Sequence, residues 1–215
     1  MISFAGREKS EMATVSNEPA VRTRHWRSTA ATRKQILDAA AEVFAEMGFR
    51  DANVSEVVSR SGSSVGSIYH HFGGKTELFL AIWEDLQDAL LADAARGVAE
   101  AREAGKTDAL EMFQYGSRAF LESIWRRRNT AKIFFVGDVP PEFANTRRER
   151  SQEWLRRNST LLRVGKAPRD RMMVGVFTSV ISEASREVVR CRTRRDVAAI
   201  IDAALEILAR LDPRE

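Results

Sequence analysis

Hydrophobic residues recur at intervals of three and four along most of this chain, and that spacing places them on one face of an α-helix. The first such stripe consists of Ile36, Ala40, Val43, Phe44 and Met47. Thr32 and Gln35 match a capping box, which starts a helix, and Gly48 is the residue type that ends one. We therefore predict a first helix from Thr32 to Met47.

Downstream, the same spacing continues in segments separated by glycine, proline and capping residues. A long helix is predicted from Lys75 to about Ala104, and Asp108 with Glu111 caps the next helix. The remaining predicted helices are a short one within Lys132–Asp138, a charged one from Pro140 to about Val164, one from Pro168 to Arg190 and one capped by Thr193 and Asp196. The chain is thus predicted to be all-α, with about nine helices.

Between the first helix and the long helix lies the stretch Asn53–Lys75, which predicts two short helices joined by a tight turn. Asn53 and Glu56 form a capping box for the first helix, Gly62 interrupts it, and Ser64 offers an N-cap for the second. Two short helices at this spacing form a helix-turn-helix. The second helix of such a unit lies in the DNA major groove, with its first residues facing base edges.

This stretch resembles the DNA-binding signature of the TetR family of bacterial transcriptional repressors. The residues that match the signature or replace it conservatively are Val54, Val57, Gly62, Ser64, Gly66, Ser67, Ile68, Tyr69, His71, Phe72 and Lys75. The sequence departs from the signature at Asn53, Val58, Ser61 and Ser63, and the two turn serines predict a looser turn. The resemblance covers about residues 32–80 directly, and beyond them only length and helical pattern agree.

Three parts follow from the pattern and the resemblance. Residues 1–31 lack usable periodicity and are predicted to be a disordered basic arm, which either reaches DNA phosphates or the minor groove, or is a solvated extension. Residues 32–77 are expected to form a three-helix DNA-binding domain. Residues 78–215 are expected to form a helical effector-binding and dimerisation domain. Its last two helices, at about 168–211, are unusually broad in apolar surface and are expected to pair in a homodimer or, alternatively, to complete the monomer core.

Each candidate DNA contact has a chemical reason. The candidates are Asn53, Ser55, Ser64, Val65, Gly66, Ser67, Tyr69, His70 and Lys75. Residues 64–67 open the recognition helix, where serine hydroxyls and the valine side chain meet base edges and the glycine permits close backbone approach. The residues at 53 and 55 lie at a helix N-terminus, which attracts a phosphate. The resemblance assigns phosphate contacts to the last three residues.

The interior of the second domain supplies candidate effector contacts. The candidates are Met112, Phe113, Tyr115, Phe120, Trp125, Phe134, Trp154, Asn158, Phe177 and Glu183. Their aromatic and Met-rich character suits an apolar or aromatic ligand, which the few polar members would orient. Apolar stripes at helical spacing also form ordinary cores, so plain core packing is the alternative for each residue.

Composition and charge narrow the classes of protein only slightly. The chain has 34 Lys and Arg residues against 30 Asp and Glu residues, a net charge of +4. This net charge fits a polyanionic partner, but most of the positive side chains are balanced by acidic residues nearby. Arginines between residues 147 and 157 alternate with glutamates and indicate a solvated face. The single Cys191 excludes an intrachain disulfide and favours a reducing cytosol. The longest apolar run, Met172–Ile181, is too short for a membrane span, and a cytoplasmic location is expected.

An enzyme is not expected, and neither is a cofactor or metal. Only three histidines are present, two of them lie in the DNA-contact stretch, and no Gly-rich phosphate loop follows a predicted strand. We expect a sequence-specific transcriptional regulator that binds a palindromic operator as a dimer and acts as a repressor, released by a small apolar or aromatic effector. The alternative is a ligand-independent DNA-binding or architectural protein.

Overall fold

The computed structural model describes residues 18–211, with side chains from residue 29 onward, and this part of the chain is helical without a strand. Its helices are α1 Glu18–Asp51, α2 Val54–Ser61, α3 Val65–Phe72, α4 Lys75–Glu103, α5 Ala109–Arg126, α6 Arg128–Phe135, α7 Phe143–Leu161, α8 Pro168–Arg190 and α9 Arg194–Arg210. The prediction of an all-α fold with about nine helices is confirmed. None of the described helices has the length and hydrophobicity needed to cross a membrane.

The two short helices of the predicted helix-turn-helix begin and end at the residues that the sequence indicated. Asn53 Oδ1 accepts a hydrogen bond from the Glu56 backbone N–H at 2.9 Å, which caps α2. Ser64 Oγ accepts from the Ser67 N–H at 3.1 Å and caps α3. Gly62 ends α2 with a φ of 64°, in the left-handed region that favours glycine. Local chemistry therefore fixes both helices.

Capping residues also fix the later helices. Asp108 Oδ1 accepts from the Glu111 N–H at 2.9 Å at the start of α5, and Thr193 Oγ1 accepts from the Asp196 N–H at 3.1 Å at the start of α9. The predicted range Pro168–Arg190 agrees with α8. At the starts of α5 and α9, the capping oxygen satisfies a backbone donor that the first turn would leave unpaired.

The first helix differs from its prediction at both ends. Residues 18–31, predicted to be disordered, are helical, and α1 runs through Thr32, so Thr32 is not its N-cap. No glycine or proline lies between residues 20 and 47, and proline is tolerated in a first turn, so nothing in the sequence stops the helix earlier. Gly48 breaks the helical geometry with φ 74° and ψ 171°, and helical turns resume to Asp51. Residues 1–17 of the predicted arm lie outside the described residues.

Helices α6 and α7 are shifted from their predicted ranges. The sequence placed a short helix within Lys132–Asp138, whereas α6 begins directly after α5 and ends at Phe135. The sequence also placed the start of α7 at Pro140, but Pro140 and Pro141 form a turn before the helix. The reason is that the carbonyl of Pro140 accepts a turn-type bond from the Phe143 N–H at 3.1 Å. The segment 136–142 is consequently a loop, and its Asp138 contacts α1.

Helices α1 to α3, from residue 29 to residue 72, are called the head below, and they share an aromatic core with the rest of the chain. Phe79 of α4 is fully buried. Its ring lies 5.5 and 5.1 Å from Phe44 and Phe49 of α1, and 4.9 and 5.5 Å from Phe134 of α6 and Phe143 of α7. Edge-to-face aromatic pairs of this kind stabilise a defined geometry. Aromatic packing around Phe79 of α4 therefore spans the domain boundary that was predicted near residue 77.

A buried carboxylate anchors α4 against α5. The side chain of Asp93 is 8% exposed and pairs with Arg96 at 2.6 Å, Arg126 at 2.7 Å and Arg127 at 2.9 Å. Burial acts to raise the pKa of Asp93, but hydrogen bonds from Ser123 and the three guanidinium groups hold it well below its ordinary value. This ionised cluster fixes the middle of α4 relative to α5.

Candidate DNA-binding surface and effector cavity

Helix α3 packs on the head through one face and leaves the other in solvent. Ile68 is fully buried, whereas Val65 and Tyr69 are 49% and 54% exposed. The other predicted contacts on α3 and its cap are the exposed Ser64, Gly66 and His70 and the half-buried Ser67. The structure thus brings the predicted base and phosphate contacts of this helix together on one accessible surface.

Gly66 lies on this surface at a place where the fold does not need glycine. A Cβ atom there would have one near neighbour outside the adjacent backbone, Ser64 Oγ at 3.8 Å, an ordinary van der Waals distance. Alanine is the better helix former by about 1 kcal/mol. Close approach of a DNA strand to the first turn of α3 would account for a glycine here.

The remaining predicted DNA contacts lie at the ends of α2 and α4. Asn53 and Ser55 are exposed at the N-terminus of α2, although Asn53 Oδ1 is already used as the cap. Lys75 is half-buried, its Nζ donates to the Arg50 carbonyl oxygen at 3.0 Å, and it lies 4.7 Å from the centre of the Phe49 ring. Lys75 therefore joins α4 to α1, and only its remaining N–H donors are available to a phosphate.

A contact that the sequence did not indicate connects the head to the α6–α7 loop. The Asp138 carboxylate accepts hydrogen bonds from the backbone N–H of Phe49 at 2.8 Å and of Arg50 at 2.6 Å. These bonds, with that from Arg50 the largest influence, lower the pKa of Asp138 below its ordinary value. We call this pair of bonds the Asp138 clasp.

Gly48 makes room for the Asp138 clasp. Its φ of 74° is unfavourable for a residue with a side chain, and a Cβ atom there would lie 2.4 Å from Asp138 Oδ1. The same glycine breaks α1 and so frees the N–H groups of the next two residues for the carboxylate. Gly48 thus accounts both for the kink in α1 and for the attachment of the head to the second domain.

The second domain encloses a cavity of about 460 Å³ between α4, α5, α6, α7 and α8. This volume falls in the range of sites for small molecules, roughly 300–1,000 Å³. Five predicted effector contacts line it: Phe113, Phe120, Phe134, Trp154 and Asn158. The structure therefore gathers half of the predicted set around one space.

The other five predicted effector contacts lie outside the cavity lining, for reasons that side-chain packing makes clear. Met112 is buried in the core, and Tyr115 is 41% exposed on the outer side of α5. Trp125 packs under the guanidinium of Arg128, 4.4 Å from its ring centre. The last two are Phe177, which stacks on Phe113, and Glu183, which pairs with Arg186.

Arginines that the sequence indicated as a solvated face also line the cavity. They are Arg147, Arg150 and Arg157 of α7, and Arg186 of α8, for which no role was predicted from the sequence, joins them in the lining. Among the lining residues that the structure describes, none carries a carboxylate. The three α7 arginines recur at intervals of three and seven, on the same side of the helix as Trp154, whereas Arg148 and Glu149 are not in the lining. If the helical period had been applied to the charged residues as well as the apolar ones, it would have separated the three cavity arginines of α7 from Arg148 and Glu149.

The α4 wall of the cavity carries two buried N–H donors. Trp83 is 6% exposed, and its indole Nε1–H has no acceptor within the described part of the chain. Gln87, one turn later, is 3% exposed, and both residues line the cavity. Buried donors are nearly always hydrogen-bonded, and leaving one unpaired costs about 1–3 kcal/mol.

Comparison with known proteins identifies the N-terminal region. Residues 36–82 match the family model described as bacterial regulatory proteins, tetR family. The HTH-type transcriptional regulator SrpR of Pseudomonas putida is 39% identical over 71 residues, which are 31% of this chain and 33% of that protein. The HTH-type transcriptional activator FasR of Mycolicibacterium smegmatis is 32% identical over 110 residues, 51% of this chain and 48% of that protein. The matched region thus spans a third to about half the length of these relatives.

Solved structures extend the similarity of fold to most of the chain. The transcriptional regulator FadR from Bacillus subtilis, solved in complex with stearoyl-CoA, has a TM-score of 0.65 and 20% sequence identity over 81% of this chain and 96% of that one. A likeness at this identity shows the fold alone. Together with the family match, it confirms the resemblance found at Asn53–Lys75.

Proposed function

We propose that this chain, which carries the DNA-binding domain of the TetR family of bacterial transcriptional regulators, binds a palindromic operator as a homodimer and releases it when a small effector occupies the cavity. One observation carries the proposal. Helix α4 contributes Phe79 to the aromatic core of the head and both Trp83 and Gln87 to the cavity wall. A ligand that moves α4 therefore moves the surface that carries α3.

Exposed apolar residues on the last two helices support a homodimer. Met172 and Val176 of α8 are 71% and 41% exposed. Ile207 of α9 and Leu211 at its end are 47% and 38% exposed. Apolar patches of this kind mark interaction surfaces, and a two-fold dimer would present two α3 helices to half-sites about 34–36 Å apart or a multiple of that spacing.

The Asp138 clasp supplies a second connection between cavity and head. Phe134 and Phe135 of α6 line the cavity, and Asp138 follows them in the adjoining loop. A ligand that displaces α6 would pull on the backbone of Phe49 and Arg50. Coupling of this kind is reciprocal, so DNA must weaken effector binding by the factor by which the effector weakens DNA binding. An operator that overlaps a promoter would make the chain a repressor, which is the mode we propose.

Fluorescence anisotropy of labelled DNA from the region beside the chain's own gene tests the proposal. We expect binding to a palindrome, competition by the unlabelled palindrome, and little competition by a scrambled duplex of the same composition. Binding that showed no sequence preference and fell uniformly with salt would instead support an architectural, ligand-independent protein, because phosphate contacts alone carry no sequence information.

A further inference from the structure

The cavity of the second domain combines an apolar interior with an arginine-rich mouth. We propose that its effector is an amphipathic anion, with an acyl or aryl body inside and a carboxylate or phosphate group held by the arginines. This inference rests on the proposed role of the cavity as the effector site and adds the chemical class of the ligand. Two features of the lining carry it.

The interior of the cavity suits an apolar body. Phe113, Phe120, Phe134 and Ile181 line it and are each less than 8% exposed. Trp154 packs edge-to-face on Phe120, with ring centres 5.0 Å apart. Transfer of an alkyl or aryl group from water into such surroundings is favourable by about 25 cal/mol for each Å² of apolar surface buried. This part of the site selects for apolar surface and supplies no charge.

The mouth of the cavity favours an anionic group because its described lining holds four arginines and no carboxylate. Arg147 has no carboxylate partner within the described chain, and its guanidinium lies 6.0 Å from the Phe143 ring centre. Arg150 pairs at 3.1 Å with Asp88, whose side chain is 73% exposed. Exposed ion pairs contribute little, so a ligand anion can replace Asp88 at small cost. Guanidinium groups bind carboxylate and phosphate in a bidentate manner.

The remaining two arginines also pair with carboxylates that lie outside the cavity lining. Arg157 pairs with Glu153 at 2.7 Å, and Arg186 pairs with Glu183 through neighbouring turns of their own helices. Both arginines are about half exposed. These glutamates lie outside the lining, so they orient the guanidinium groups at the mouth without placing negative charge in the cavity. A cationic ligand would find no counter-ion in the lining.

Isothermal titration calorimetry of the full chain with four probes tests the inference. The probes are dodecanoate, dodecyl phosphate, dodecanol and dodecyltrimethylammonium, each below the concentration at which it aggregates. We expect at least one anion to bind about tenfold more tightly than dodecanol, a difference of about 1.4 kcal/mol. The cation should bind more weakly than dodecanol. The ratio of dodecanoate to dodecyl phosphate distinguishes a carboxylate head group from a phosphate.

Variants of the mouth provide the matched comparison. Arg147→Gln combined with Arg150→Gln should weaken binding of the preferred anion about tenfold and leave dodecanol unchanged. Arg148→Gln removes one positive charge from the same helix outside the lining and should change neither. Equal binding of dodecanol and both anions, no binding of any probe, or an unaffected double variant would overturn the inference.

The same probes keep the inference separate from the proposed function. Selective anion binding that leaves the DNA anisotropy unchanged would refute the effector role and uphold the ligand class. Release of DNA by dodecanol as effectively as by either anion would uphold the effector role and overturn the ligand class.

Discussion

The Asp138 clasp predicts a defined cost when its charge is removed. Asp138→Asn retains one acceptor oxygen and replaces the other with an N–H donor that faces a backbone N–H. Hydrogen bonds to charged groups contribute about 1.5–3 kcal/mol each when buried, and solvent screening reduces this because Asp138 is exposed. We expect a loss of about 1–2 kcal/mol, or a melting temperature lower by about 2–8 °C for a chain of this size.

Amide hydrogen exchange and calorimetry measure this cost directly. Exchange at the Phe49 and Arg50 amides should accelerate about tenfold in Asp138→Asn, because these are the two donors that lose the carboxylate. Glu142→Gln removes one charge from the same region, at the N-cap residue of α7, whose side chain makes no capping hydrogen bond, and it should leave both exchange rates unchanged.

The pH dependence of the clasp has a fixed sign. Its folded-state pKa is lowered, so the stabilisation is fully present above the unfolded pKa of about 3.9 and is lost as the pH falls through the folded value. The difference in stability between the wild-type chain and Asp138→Asn should therefore be constant near neutral pH and shrink below about pH 4. Equal melting temperatures and equal Phe49 exchange at pH 7 would refute the clasp.

Three further predictions concern the DNA surface, the α4–α5 joint and the dimer. Gly66→Ala should raise the melting temperature, because alanine is the better helix former. The same change should weaken operator binding at least tenfold in an anisotropy titration, and unchanged binding would contradict a close approach of DNA to Gly66. Asp93→Asn leaves three arginines without their shared carboxylate and should cost about 2–4 kcal/mol in denaturant unfolding, less than for fully buried charges because the arginines are partly exposed. Met172→Glu with Ile207→Glu should convert the proposed homodimer to a folded monomer in light scattering, with circular dichroism unchanged. A persistent dimer would place the interface elsewhere.

Local sequence chemistry predicted the parts of the fold that depend on neighbouring residues. Asn53, Ser64, Asp108 and Thr193 each cap the helix that their pattern indicated, and Gly62 ends α2 as expected. The sequence did not predict the start of α1 before Thr32. The stretch before Thr32 lacks residues that stop a helix, but such a lack is harder to recognise than a stop signal. Helix α7 begins later than predicted because two consecutive prolines form a turn instead of its first residues.

The candidate site was predictable only in part, because its decisive contacts join residues far apart in the chain. Asp138 lies 89 residues after Phe49, and no local pattern marks a carboxylate that accepts bonds from a distant kink. Arg147 and Arg150 were grouped with their neighbours by charge, although helical phase assigns them to the cavity side. The sequence places Trp83 only within the long helix predicted from Lys75, and only the packing around it shows that its indole N–H lacks an acceptor within the described residues.

The central claim is that cavity occupancy and operator binding are coupled through α4. Anisotropy titrations of operator DNA with and without a saturating cavity ligand test it most directly. We predict that the ligand raises the Kd for DNA at least tenfold and that operator DNA raises the Kd for the ligand by the same factor. A ligand that binds the cavity, as judged by its loss of affinity in the Arg147 and Arg150 double variant, yet leaves the DNA Kd unchanged would contradict the account.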